Sequence, residues 1–301
     1  MSTQLKSLNS DPRIARAHVL MLMTTVLVAT SFPVGAAITN SLDTLVLTFL
    51  RFTLAAVLFA PIVAWRYGLR VPSFRDVLRY ALLSGCLVAF FWGMFTALRY
   101  TSVLNTATIY SMTPLITALI STVVMKERLG TASRIALPIG MCGAIWVIFR
   151  GELESLLTLR LGMGDAIFFA ATIAMSFYGP LVKRLHRGEP MAQMTFWTLV
   201  TGAVWLLVLA APRFSSVQWT AVPTEVYVGI VYLAIFSTLI TFFAIQWCAT
   251  VIGPTKMISY IYLNPILVIF MAMALGDVSP PLSTYPGFAF ILTALYVLQR
   301  D

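Results

Sequence analysis

The sequence predicts an all-α integral membrane protein: ten transmembrane helices in two five-helix repeats, with both termini cytoplasmic. Three observations predict it. The chain is 59% hydrophobic and only 10% charged, with a mean hydropathy of +0.90, whereas soluble domains carry about 25% charged residues. Ten windows approach the roughly 20 apolar residues that a spanning helix needs. The apolar runs also occur twice: at an offset of 145 residues Ser31-Phe32 falls on Ser176-Phe177, and at 151 Thr113-Pro114 falls on Asn264-Pro265. A membrane duplication with corresponding proline-interrupted helices marks a transporter whose site lies between its repeats near the bilayer midplane.

Residues 1–18 read as a cytoplasmic tail and 19–150 as the first repeat. The first helix, Val19 to Ile38, carries Thr30, Ser31 and Pro33. Gly35-Ala36-Ala37 near its end offers a small-residue cleavage site, but its length, long polar lead and counterpart around Ser176 argue for a retained helix. The second, Thr44 to Trp65, holds Arg51, the one charge well inside a span. The third, Leu78 to Leu98, carries Phe90, Phe91, Trp92 and Phe95 at depth, with Trp92 read as an aromatic wall. In the fourth, Ser102 to Val124, Thr106, Tyr110, Thr113 and Thr117 form a polar stripe, with Asn105 on an adjoining face. The fifth, Ser133 to Phe149, has a smooth face of Ala136, Gly140 and Gly143 suited to close packing.

The second repeat covers 163–299. Its helices are Met163 to Val182 with Ser176, Tyr178 and Pro180, Met191 to Ala211, and Val226 to Ala249 with Gln246 and the deep aromatics Phe242, Phe243 and Trp247. The ninth, Lys256 to Leu275, spaces Lys256, Tyr260 and Asn264 at i, i+4 and i+8, with Ser259 beside them; the tenth, Ser283 to Leu298, has Gly287 and Ala294 on a smooth face.

Charge placement sets orientation. The Lys and Arg residues gather on the N-terminal side of an alternating ten-helix path; only Arg99, Arg150, Arg160 and Arg213 fall on the other. The positive-inside rule then puts both termini in the cytoplasm. The net charge of +9 is thus topology, with anionic lipid as its partner and no role for nucleic acid. Cys86, Cys142 and Cys248 lie within spans and lack disulfide or metal-ligand spacing, so no metal or cofactor is expected. A monomer is the simplest assembly.

Each proline inside a span leaves the carbonyl four residues earlier without its partner. Pro33 would free Ala29, Pro114 Tyr110, Pro180 Ser176 and Pro265 Ile261, either to line a cavity or to be met by a neighbouring hydroxyl. Ser31, Trp92, Asn105, Thr106, Tyr110, Thr113, Ser176, Tyr178, Gln246, Ser259, Tyr260 and Asn264 are the candidate substrate lining. The plainer alternative for the hydroxyls is interhelical gluing. Arg51 is assigned a structural or gating role, with attraction of a carboxylate as the alternative, and Lys256 can snorkel to the interface. The carboxylates sit at or beyond helix ends and His18 and His186 on the cytoplasmic side, so no proton relay is visible at mid-membrane.

Arg51-Phe52 on the second helix, Thr113-Pro114 followed by Lys126-Glu127-Arg128-Leu129-Gly130, and Asn264-Pro265 with Gly276-Asp277 later in the chain resemble the drug/metabolite transporter superfamily in its EamA-type branch. Within it the chain resembles YddG-like bacterial exporters of aromatic and neutral amino acids, although Asp277 stands where Glu is commoner. The resemblance implies inverted five-helix repeats around a central cavity, peripheral fifth and tenth helices, and export of amino acids or similar small metabolites across the inner membrane by alternating access. A drug or nucleotide-sugar carrier of the same fold is the rival; a membrane enzyme or scaffold is the alternative outside transport. The enzyme reading lacks an intramembrane catalytic pair, and the scaffold reading leaves the paired prolines unexplained.

Overall fold

A computed structural model describes residues 12–39, 41–97, 99–158, 160–274 and 280–300. Residues 1–11 of the tail, Asp277 and the Pro33 side chain lie outside them. The described residues form no strand and contain ten helical stretches long and apolar enough to cross a membrane. These spans, numbered in chain order, are Pro12–Ser31, Thr44–Tyr67, Phe74–Ala97, Asn105–Val124, Thr131–Ile148, Met163–Leu185, Met191–Ser216, Thr224–Val251, Pro254–Met271 and Leu282–Arg300.

Local chemistry sets several span ends. Asp43 caps the second span, accepting from the backbone N–H of Leu45 at 2.9 Å, and its other carboxylate oxygen takes Arg213 Nη1 at 2.7 Å. Gly68, at φ 75°, closes the same helix in a conformation that favours glycine. The first helix begins at Pro12, earlier than hydropathy places it, because polar residues are tolerated at the membrane edge. His18 therefore lies within the first span, where Nδ1 pairs with Tyr260 OH at 2.9 Å, rather than in the aqueous tail.

Prolines break two spans at corresponding points. The fourth is helical over Val103–Tyr110 and again over Thr113–Val124, with Pro114 in the first turn of the second piece. The ninth is helical over Pro254–Ser259, passes through a 3-10 turn at Tyr260–Leu263 and resumes at Asn264. The freed carbonyls find partners in their own chain: Tyr110 O accepts from Thr113 Oγ1 at 2.5 Å, and Ile261 O from the Asn264 backbone N–H. At these two positions the local alternative to a cavity holds. The sixth helix runs through Pro180 without interruption, and Pro61 and Pro138 also sit inside helices. The eighth span contains an unforeseen π-helical turn at Ile235–Ile240.

The packing respects the duplication. The fifth span packs on the tenth and the second on the seventh; the third packs on the sixth as the eighth does on the first. The fourth meets the sixth as the ninth meets the first. Exchanging the two halves leaves this pattern unchanged. The fifth and tenth spans meet through Gly143 and Gly287, where a Cβ on Gly143 would sit 3.0 Å from Gly287 O and one on Gly287 2.9 Å from Gly143 O. Backbones approach this closely only where side chains are absent.

Candidate substrate path between the halves

A line of aromatic rings crosses the interface between the halves. Phe242 of the eighth span lies 5.5 Å, centroid to centroid, from Phe52 of the second, which lies 6.1 Å from Phe91 of the third. Phe91 continues to Phe90 at 5.5 Å, and Phe90 meets Tyr110 of the fourth span at 5.5 Å and Phe168 of the sixth at 6.0 Å. Trp92 takes no part in it and is 48% exposed.

Arg51 stands beside this line and is 6% exposed. Its Nη2 and Nε donate to Thr238 Oγ1 at 2.9 and 3.3 Å, and its guanidinium carbon lies 5.3 Å from the Phe91 ring centre. Thr238 belongs to the π turn, a feature frequent at functional sites. No ion pair joins Arg51 to a described carboxylate. A desolvated cation–π contact contributes about 2 kcal/mol, against an effective desolvation penalty of several kcal/mol for a buried ion. The hydrogen bonds to Thr238 offset part of the difference, and no opposite charge among the described residues adds to them.

The structure divides the remaining candidates. Asn264 is buried and its Oδ1 has no hydrogen-bond partner, an orphan acceptor worth about 1–3 kcal/mol of unmet desolvation. The Tyr110 hydroxyl bonds no described group. Thr113 is spent on Tyr110 O and Ser176 on Thr172 O at 2.8 Å, while Thr106 is buried in the fourth span and Ser31 turns back to Val28 O at 2.6 Å. Gln246 is wholly buried and saturated: it donates to Tyr178 OH at 2.9 Å and Thr198 Oγ1 at 3.2 Å and accepts from Thr195 Oγ1 at 2.6 Å. Gln246 and Tyr178 thus lock the sixth, seventh and eighth spans together in this conformation. Asn105 lies at the start of the fourth span, which Ser102 caps; its Oδ1 accepts from Ser102 Oγ at 2.8 Å and its Nδ2 donates to Arg160 O at 3.1 Å.

The stripe drawn through Lys256, Tyr260 and Asn264 does not survive as one face. A 3-10 turn has 3.0 residues per turn against 3.6, so the register shifts between Tyr260 and Asn264. Lys256 instead donates to Gln299 O at 3.2 Å, Ser259 accepts from Gln299 Nε2 at 2.9 Å, and Tyr260 meets His18. These residues seal the ninth span to the first and tenth near the N-terminal face.

That face is held by charges. Arg79 pairs with Asp76 at 2.6 Å and Glu189 at 3.5 Å and donates to Leu185 O at 2.5 Å. Lys183 pairs with Glu127 at 3.7 Å, and Arg184 donates to Val124 O. The opposite face is indented. A cleft of about 530 Å³ there runs between the first and eighth spans past Val34, Ile38, Val226 and Tyr232, and Tyr232 OH bonds Thr30 at 2.6 Å. Asp165, also on that side, is buried at the start of the sixth helix, accepting from Thr101 Oγ1 at 2.5 Å and the Gly162 N–H at 2.6 Å.

A duplicated bundle of ten spans with unpaired polar groups at the junction of its halves has the architecture of a membrane transporter, and the comparisons agree. The EamA-like transporter family model matches residues 15–149 and again 162–300, so the chain belongs to that family. Among its relatives, the uncharacterized transporter YyaM of Bacillus subtilis is 26% identical over 254 residues, 83% of this chain and 82% of that one. An uncharacterized transporter of Archaeoglobus fulgidus is 22% identical over 284 residues, covering 94% and 97%. The uncharacterized inner membrane transporter YedA of Escherichia coli K12 is 24% identical over 236 residues, covering 77% and 74%. A crystal structure 18% identical to this chain superposes with a TM-score of 0.75 over 94% of it and 97% of that chain, a likeness of fold.

Proposed function

We propose that the protein exports aromatic or other neutral amino acids, or similar small metabolites, across a bacterial inner membrane by alternating access between its halves. The observation that carries this is the packing pattern preserved on exchange of halves, with both broken spans at the junction. An odd number of spans per repeat makes the second repeat run opposite to the first, the arrangement in which rocking of one half against the other exposes a site alternately. The aromatic line suits flat or apolar substrate bodies. The relative described as an inner membrane transporter supports the location, and the basic N-terminal face supports cytoplasmic termini. Single cysteines at Asn9 and Arg300, in a protein lacking Cys86, Cys142 and Cys248, are both expected to react only from the cytoplasmic side with an impermeant reagent. Labelling from opposite sides would require an odd number of spans.

Transport is expected to be facilitated rather than proton-coupled, because every described carboxylate lies near a span end and Arg51 does not release its proton. His18, facing Tyr260, is the titratable group best placed to overturn this. Liposomes carrying the protein and a pH-sensitive dye test it: amino-acid movement indifferent to an imposed pH gradient is expected. Substrate-driven proton flux that disappears in His18→Gln would place coupling at that residue.

A further inference from the structure

We propose that Arg51 is the anion-binding group of the transport path, taking the carboxylate of a substrate whose apolar body lies against Phe91 and Phe52. The proposal rests on the transport reading and adds the substrate group recognised. Two observations lead to it. Arg51 is more than nine-tenths buried, yet its polar partner is the neutral hydroxyl of Thr238. The edge of the guanidinium formed by Nε and Nη2 faces that hydroxyl, while no described residue accepts from Nη1.

The edge of Nη1 and Nη2 thus remains for a planar, bidentate anion, the geometry a carboxylate supplies. Arg51 projects from the second span and Phe91 from the third, while Thr238 comes from the eighth, so the cation itself links the two halves of the molecule. The other described Lys and Arg residues lie toward span ends, so a single negative charge is matched and a phosphate dianion is not. The Phe91 ring against the guanidinium, continuous with Phe52 and Phe90, gives the rest of the ligand an apolar, aromatic bed. A charge held only to fasten helices would be expected to face a carboxylate or to use all its donors; Arg51 does neither.

The test compares benzoate with its neutral isostere benzamide on purified protein, by calorimetry and by thermal protection at fixed ionic strength. The wild type is expected to bind benzoate at least about tenfold more tightly, as for a charge-assisted pair. Arg51→Gln is expected to bring benzoate down to the benzamide level while benzamide binding stays within about threefold. Equal wild-type affinity for the two, or a benzoate preference that survives in Arg51→Gln, overturns the proposal. Should Arg51→Gln fail to fold, the wild-type comparison alone still decides, and Thr238→Val, which keeps the cation, is expected to retain the preference for benzoate. Arg51-dependent benzoate binding in a protein that moves no amino acid in vesicles supports the anion site and counts against amino-acid transport alone.

Discussion

Replacing Gly143 with leucine is expected to prise the fifth span from the tenth and to abolish recovery of monodisperse protein in mild detergent. A Cβ at that position would meet Phe290 Cβ at 2.8 Å and two backbone atoms, Gly287 O and Ile291 N, at 3.0 Å. Backbone cannot swing aside as a side chain tip can, so a larger residue moves a whole helix. Overpacking of this kind costs about 3 kcal/mol, and bilayer lipid does not drive the helices back together as water would. Gly85→Leu is the matched control, because a Cβ there meets nothing within 4 Å. Fluorescence-detected size exclusion of the two variants reads the difference. Equal profiles would show that the close approach of Gly143 and Gly287 contributes nothing to assembly.

Asn264→Ala and Tyr110→Ala are each expected to lower transport about tenfold, equivalent to 1.4 kcal/mol, while leaving the amount of protein in the membrane unchanged. The reasoning is that neither side chain has its polar group committed to the fold. Asn264 Oδ1 lacks a partner and the Tyr110 hydroxyl bonds no described group, so removing either polar atom breaks no hydrogen bond among the described residues. A substrate donor that pairs with such a group during passage would lose that bond in the variant. Tyr110→Phe separates the hydroxyl from the ring that touches Phe90 at 5.5 Å. Uptake of radiolabelled amino acids into vesicles checks the series, and full activity in both alanine variants would move the path elsewhere.

Much of the fold is legible in the sequence because bilayer thickness and backbone satisfaction leave few choices for an apolar run. The breaks at Pro114 and Pro265 are legible for the same reason. What the ring loses is fixed by its chemistry, but what replaces the lost bond is not: Thr113 serves Tyr110 O within its own turn, and a 3-10 turn serves Ile261 O. Regular helical spacing then misleads beyond the break, as the pattern of Lys256, Tyr260 and Asn264 shows. His18 looked like a tail residue because hydropathy sees one polar side chain and not the tyrosine that faces it. Arg51 was conspicuous from the start. Its partner was not, since Thr238 is an ordinary hydroxyl in the middle of a long apolar run and the π turn that presents it leaves no compositional trace.

Arg51, buried within a span and without a described carboxylate partner, also breaks the equivalence of the two repeats. Under the alternating access proposed for this molecule, the outward and inward forms would arise by the two halves trading conformations. If every interaction had its twin, the two forms would be equal in energy and equally populated. Arg51 and the π turn at Ile235–Ile240 have no matching pair in the corresponding second and third spans of the other half: the seventh span carries no charge over Met191–Ala210, and the third is regular helix over Phe74–Ala97. Such an exchange would place the same charge in two different surroundings. On the proposed alternating-access reading, the empty carrier is expected to have a preferred resting side, and occupancy of the cation by a ligand is expected to redistribute the two forms.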